Sequence, residues 1–263
     1  MAVKELIVPL SRREFLNLSA AGVAAGALTS MPLTHGAKKS EIKAIAFDAF
    51  PILDPRPVFA LAEHLFPGKG TELSNAWRTR QFEYQWLRAL SGRYVDFGQA
   101  TEDSLVYASE LLKLDLTQDK RRQLTEAYLA LKAWPDAPAT LESLKSAGIR
   151  LAILSNATPK ILNAGIKNSD LDGVFEHVLS TDKIKTYKPD ARAYQMAMDA
   201  FGLTREEILF AAFAGWDAAG AKWFGYKTFW VNRSNLPREQ LGVLPDAVGK
   251  NLNDLVSFVK ALS

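Results

Sequence analysis

Ile42-Lys43-Ala44-Ile45-Ala46-Phe47-Asp48 is the stretch on which the fold turns. A short run of small and branched apolar residues stops at a carboxylate without polar alternation, the pattern of a parallel strand buried on both faces. The layout recurs. Arg150-Leu151-Ala152-Ile153-Leu154 runs into Ser155-Asn156, Ile208 to Ala214 runs into Gly215-Trp216-Asp217, and Thr228-Phe229-Trp230-Val231 runs into Asn232. Helical patterns separate these strands at Pro138 to Ala147, Ala191 to Phe201 and Ala218 to Phe224. Each is closed by a glycine (Gly148, Gly202, Gly225) of the kind that ends a helix. Strands alternating with helices of this length predict βαβ units, and so an α/β, Rossmann-like parallel sheet covered on both faces. Ligands of open α/β sheets bind beyond the carboxyl ends of the strands. Asp48, Ser155, Asn156 and Asp217 are therefore expected to converge.

The segment between the first strand and the next βα unit has no strand pattern. Val58 to Phe66, Thr71 to Leu90, Thr101 to Leu114 and Thr117 to Ala133 all read as helices. Such an insert cannot join a parallel sheet, so the expected organisation is an α/β core over 41–53 and 133–263 with a helical cap over 54–132. Residues 1–37 form a third part. Ser11-Arg12-Arg13-Glu14-Phe15-Leu16 precedes a mild Ala- and Gly-rich apolar run, Leu18 to Leu33. A charged region followed by a weakly apolar one is a signal-peptide layout, and the arginine pair resembles the twin-arginine signal that exports folded bacterial proteins. The run is too short for a stable membrane span. The mature chain is expected in the periplasm, with no membrane attachment.

Composition removes several chemistries. Cysteine is absent, which excludes disulfides, thiolate nucleophiles and cysteine-ligated metals. The three histidines (His35, His64, His177) are scattered and none sits near an expected strand end, so a histidine metal site and Ser–His hydrolysis are both disfavoured. A net charge of +3 spread over mixed helix faces does not suit nucleic acid. A carboxylate at a strand end remains as the candidate nucleophile.

Phe47-Asp48, Leu154-Ser155-Asn156, Tyr187-Lys188-Pro189-Asp190 and Trp216-Asp217-Ala218-Ala219-Gly220-Ala221 together resemble the motifs of the haloacid dehalogenase superfamily. The cap-like insert directly after the first motif fits that likeness. Two aromatic-rich stretches, Trp77 to Arg88 and Phe224 to Arg233, are similar to its L-2-haloacid dehalogenase (type II) branch. The resemblance covers about residues 41–262 and implies hydrolytic dehalogenation of short-chain 2-haloacids to 2-hydroxy acids, through an ester on Asp48, without metal or other cofactor. It implies catalytic roles for Asp48 as nucleophile, Arg78 toward the leaving halide, Lys188 beside the nucleophile, and Asp217 orienting Lys188 and activating water. Ser155 and Asn156 match residues that hold the substrate carboxylate and halide. Tyr194 matches a hydroxyl bracing the lysine and substrate region, and Phe50, Phe82, Phe97 and Trp216 match apolar walls. Family members are commonly homodimers, though no apolar stripe here marks an interface.

The departures from the family pattern fall inside the site. After Asp48 the family usually carries an aromatic and then Gly-Thr-Leu, where this chain has Phe50-Pro51-Ile52-Leu53. The family's Ser-x-Asn ahead of Trp216 is Ala212-Phe213-Ala214. Losing one positioned hydrogen bond costs about 2.7–4 kcal/mol in rate, so the departures imply either that ester hydrolysis suffers or that the substrate differs. Two alternatives follow: a weakly catalytic or non-catalytic member that binds a small carboxylate, and a Mg²⁺-dependent phosphatase. The second is disfavoured, because the acid such enzymes carry two residues after the nucleophile is Phe50 here.

Overall fold

The computed structural model describes residues 41–262; the export segment expected over 1–37 lies outside them. Strand β1 (Ala44–Phe47) is followed by helices α1 (Arg56–Leu65), α2 (Gly70–Leu90), α3 (Phe97–Leu111) and α4 (Gln118–Glu126), with a 3-10 turn over Ala127–Ala130. Then come α5 (Ala137–Ser146), β2 (Arg150–Ser155), α6 (Pro159–Asn168), β3 (His177–Ser180), α7 (Ala191–Phe201), β4 (Ile208–Ala212), α8 (Gly215–Phe224), β5 (Lys227–Val231), β6 (Ala247–Gly249) and α9 (Leu252–Leu262). The strands form one parallel sheet in the order β3-β2-β1-β4-β5-β6. With β1 between β2 and β4, the ends of three strands open side by side at Asp48, Ser155 and Phe213.

Alternation along the central strands divides the core. Ile45, Phe47, Ile153, Leu209 and Phe229 face one side and pack against α5, α6 and α9. Ala44, Ala46, Leu154, Phe210 and Ala212 face the other and pack against α7 and α8. The helices between β1 and α5 add their own apolar residues, among them Val58, Leu73, Trp77, Leu105 and Tyr128, to the first cluster. The chain leaves the sheet at Leu53 and returns at Ala133, and these two residues pair in an antiparallel bridge. Asp54 N–H donates to Lys132 O and Trp134 N–H to Ile52 O, each at 2.8 Å, so exit and return are tied together directly behind the nucleophile loop.

Three sequence readings need correction. Strands β3 and β6 do not show as apolar runs, because they are short outer strands with part of their surface open to solvent. Strand β4 ends at Ala212 rather than Ala214, and α8 begins at Gly215, so Asp217 lies in the first turn of a helix instead of at the tip of a strand. Helix α3 starts at Phe97 rather than Thr101, because the Asp96 carboxylate accepts the Gln99 N–H at 2.9 Å and caps it. His177 does open a strand, but at the amino end of the sheet, opposite the site. Among the described residues no helix is long and apolar enough to cross a membrane.

Candidate active site

Asp48 follows β1 directly, its N–H donating to Ala211 O at 3.0 Å across the neighbouring strand. One carboxylate oxygen, Oδ2, accepts the Phe50 N–H at 3.2 Å; the other, Oδ1, accepts from Lys188 Nζ at 2.8 Å. The same ammonium donates to Asp217 Oδ2 at 2.5 Å. Lys188 is only 1% exposed, so a full positive charge is held out of water between two carboxylates. The Tyr194 hydroxyl donates to the remaining Asp217 oxygen, Oδ1, at 2.7 Å. Asn156 is fixed from three sides: its Oδ1 accepts from Lys188 N–H at 2.9 Å and from the Thr181 hydroxyl at 3.3 Å, and its Nδ2 donates to Gln85 Oε1 at 3.1 Å.

Burial pulls the Lys188 ammonium downward, but the Asp217 and Asp48 charges outweigh it and hold its pKa above the ordinary lysine value. Burial pushes Asp217 up to about 6 against the pull of Lys188, and the Asp48 charge adds to the rise. Burial, followed by the Asp217 charge, raises the Tyr194 phenol well above its usual range, so it stays a donor.

A cavity of about 30 Å³ opens over Asp48. Phe50, Phe82, Phe97, Ser155, Asn156, Lys188, Trp216 and Asp217 all line it, so the structure gathers these expected site residues in one place. Arg78 lies in an adjoining cavity of about 150 Å³, with its guanidinium 5.3 Å from the Phe59 ring centroid and no ion pair among the described residues. The two cavities share Phe50, Phe82, Phe97, Phe213 and Ala214 as walls. Tyr194 corrects an expectation. It is fully buried behind Asp217 and lines neither cavity, so it reaches Lys188 only through that carboxylate rather than bracing a substrate.

The sequence reading missed Gln85, Ala157 and Phe213. Ala157 and Phe213 line the Asp48 cavity, and Ala157 N–H is held by Ser155 Oγ at 3.2 Å. Gln85 was detectable: Trp77, Gln81 and Gln85 recur every four residues on the buried stripe of α2, and an amide at such a spacing needs a polar partner.

The comparisons with known proteins agree with this geometry. Residues 37–225 match the family model of the haloacid dehalogenase-like hydrolases. The chain is 45% identical over 206 residues to an (S)-2-haloacid dehalogenase of Pseudomonas sp. strain YL, covering 78% of this chain and 89% of that protein. It is 42% identical to haloacetate dehalogenase H-2 of Moraxella sp. strain B, covering 83% and 98%. The chain belongs to the haloacid dehalogenase-like hydrolase family. Among solved structures, the L-2-haloacid dehalogenase of Xanthobacter autotrophicus with chloropropionic acid covalently bound superposes with a TM-score of 0.75, at 33% identity, over 84% of this chain and all of that one.

The positions that depart from the family pattern are apolar in three dimensions as well. Ile52 is fully buried in the core beneath the nucleophile loop, and Pro51 O accepts from Arg233 Nη2 at 2.8 Å. Ala212 is buried at the end of β4. Phe213 packs on Phe50 with ring centroids 5.9 Å apart.

Family motif residue Gly220 has a steric reason to be glycine. A Cβ there would collide with the Tyr194 hydroxyl and stand 2.7 Å from Pro189 Cβ. We expect Gly220→Ala to destabilise the fold by about 1–3 kcal/mol through overpacking, read as a lower urea midpoint; an unchanged midpoint would show that Tyr194 and Pro189 move aside freely.

Proposed function

We propose that this protein hydrolyses short-chain 2-haloacids to 2-hydroxy acids through an ester on Asp48. One observation carries the reading: a strand-end carboxylate, paired with a buried lysine, faces a small cavity walled largely by aromatic rings. An Asp48 oxygen attacks the α-carbon as the carbon–halogen bond breaks, giving an aspartyl ester and a free halide. Arg78, in the adjoining cavity, is the cation assigned to the departing anion. Ser155, with backbone amides at the end of β2, is assigned to the substrate carboxylate, and Asn156 to cradling the halide. Water then attacks the ester carbonyl carbon of Asp48, the hydroxy acid leaves, and the proton passes to Asp217, whose pKa near 6 suits it as a base.

The site does not fit a magnesium-dependent phosphatase. The position for the second acid is Phe50, and the ammonium of Lys188 already occupies the gap between Asp48 and Asp217. The loss of polar groups at Ile52, Ala212 and Ala214 does favour slow ester hydrolysis, and in the limit a chain that binds a small carboxylate without turnover.

The decisive experiment is mass spectrometry of the protein after mixing with (S)-2-chloropropionate, read beside chloride release. We expect an ester-sized mass increment on the Asp48 peptide together with chloride release, and a loss on the order of 10⁴-fold or more in release for Asp48→Asn. Release undiminished in Asp48→Asn would remove the proposed nucleophile. Binding without chloride or adduct would leave the carboxylate-binding reading.

A pH profile follows from Asp217. It works ionised, and its raised pKa means that the ionised form is lost as pH falls through about 6. Activity should therefore drop about tenfold per pH unit below 6, while the raised Lys188 keeps the alkaline side flat through pH 9. Full activity at pH 4.5 would exclude Asp217 as the base.

We also propose that residues 1–37 are a twin-arginine-type export signal and that the mature enzyme works in the periplasm, on the strength of Arg12-Arg13 ahead of the mild apolar run. Replacing both arginines by lysine should leave the protein in the cytoplasmic fraction; export of that variant equal to the parent would contradict the proposal. A homodimer belongs to the same reading, resting on the family's habit alone.

A further inference from the structure

The cavity over Asp48 is only about 30 Å³, the share of a single water molecule, whereas the one beside it is about 150 Å³. A halide and a methyl group do not fill the larger space. A cavity of roughly 150 Å³ has room for a benzene ring, and here Arg56, Arg78, Gln81 and Ser234 stand among the aromatic walls. The far wall is aromatic, with Phe59, Tyr128 and Trp134, and Phe50 and Phe213 form the near wall shared with the Asp48 cavity. The charge of Arg56, which also lines the larger space, is neutralised by Asp54 at 2.7 Å. Arg78, the cation assigned above to the halide, lies against the face of Phe59, so the halide and the substituent would share this cavity.

The boundary between the two cavities decides what passes. Ala214 belongs to both, and its methyl group is the smallest side chain among the shared walls. A residue with a longer polar side chain there would stand in the opening and give it hydrogen-bonding groups. Methyl, together with the Phe50–Phe213 pair, makes the wall common to the two cavities apolar there.

We infer that this site takes 2-haloacids whose α-carbon carries a phenyl- or benzyl-sized substituent, with that substituent seated in the cavity between Phe213 and Phe59. The inference rests on the proposed displacement at Asp48 and changes only the size of the group that accompanies it. The bonds made and broken are those already described: the Asp48 oxygen to the α-carbon, and the α-carbon to halogen.

The test compares (S)-2-bromo-3-phenylpropanoate with (S)-2-bromopropanoate on the full chain, measured as bromide release. We expect kcat/KM for the phenyl substrate to be at least about tenfold the higher, since filling an apolar pocket by even one methylene is worth about that much. Ala214→Leu, which adds bulk at the shared wall, and Ser234→Phe, which fills the larger cavity from its rim, should each cut that ratio by about tenfold or more. The ratio cancels general losses of folded enzyme, and Ser234, on an exposed loop, carries the test if Ala214→Leu does not fold. Turnover of the short substrate alone overturns the inference and leaves the proposed function standing. Turnover of neither overturns both. A ratio that ignores both substitutions places the phenyl group elsewhere and also overturns the inference.

Discussion

A single ammonium group buried between two carboxylates holds this site together. Taking ions out of water costs several kcal/mol each, and a buried ion pair is repaid only when geometry and further hydrogen bonds are good. Lys188 meets that condition. Its Nζ donates to Asp48 and Asp217, its N–H is accepted by Asn156, and its carbonyl accepts the Trp86 indole N–H at 3.1 Å. Tyr194 donates to the other oxygen of Asp217. The three strand ends and the first turn of α8 must be in register for these bonds to form together. Phe50 adds no side-chain carboxylate beside this cation.

The inserted helices depend on the same segment. Tyr94 on the turn before α3 donates to Asp182 at 3.0 Å, and the Tyr187 hydroxyl donates to Val95 O at 2.6 Å. Trp86 reaches Lys188 O, and Gln85 holds Asn156. These contacts run from α2 and the turn after it to residues 156–188, the stretch that presents Asn156 and Lys188. A displacement of the insert would therefore pull on the lysine's main chain before it touched a nucleophile held by β1. The nucleophile is rigid by virtue of the sheet, and its cationic partner is positioned by the insert as well as by the core.

How much of this could be read from residues alone depended on burial. The central strands show as unbroken apolar runs because both faces are covered, and glycine past three helices marks their ends; Gly202 and Gly225 do adopt positive φ, 65° and 102°. The outer strands β3 and β6 carry mixed residues, since half of each is wet, and nothing in their composition separates them from loop. Asp48 and Ser155 were placeable because a polar residue ending an apolar run has few other locations. Asp217 was displaced in the reading because Phe213-Ala214 continues the apolar run of β4 without continuing the strand. Gln85 is legible only as a buried amide on the stripe of α2; its partner Asn156, at the end of β2, is not legible from the sequence.

The four departures from the family pattern share one physical direction. Against the pattern that the family resemblance implies, Pro51 removes an N–H, Ile52 and Ala212 put hydrocarbon where hydroxyls are expected, and Ala214 puts a methyl where an amide is expected. Each loss alone weakens the hold on a hydrolytic water. Of the four, only Ala214 lines the cavities, and with Phe213 against Phe50 it makes part of the wall shared by the Asp48 and Arg78 cavities apolar. Water-positioning groups and a large apolar substituent compete for the same few ångströms beside the nucleophile, so a site that admits one must give up part of the other. On the proposed reading, Ala214 contributes both to slow hydrolysis of the ester and to room for a bulky substituent.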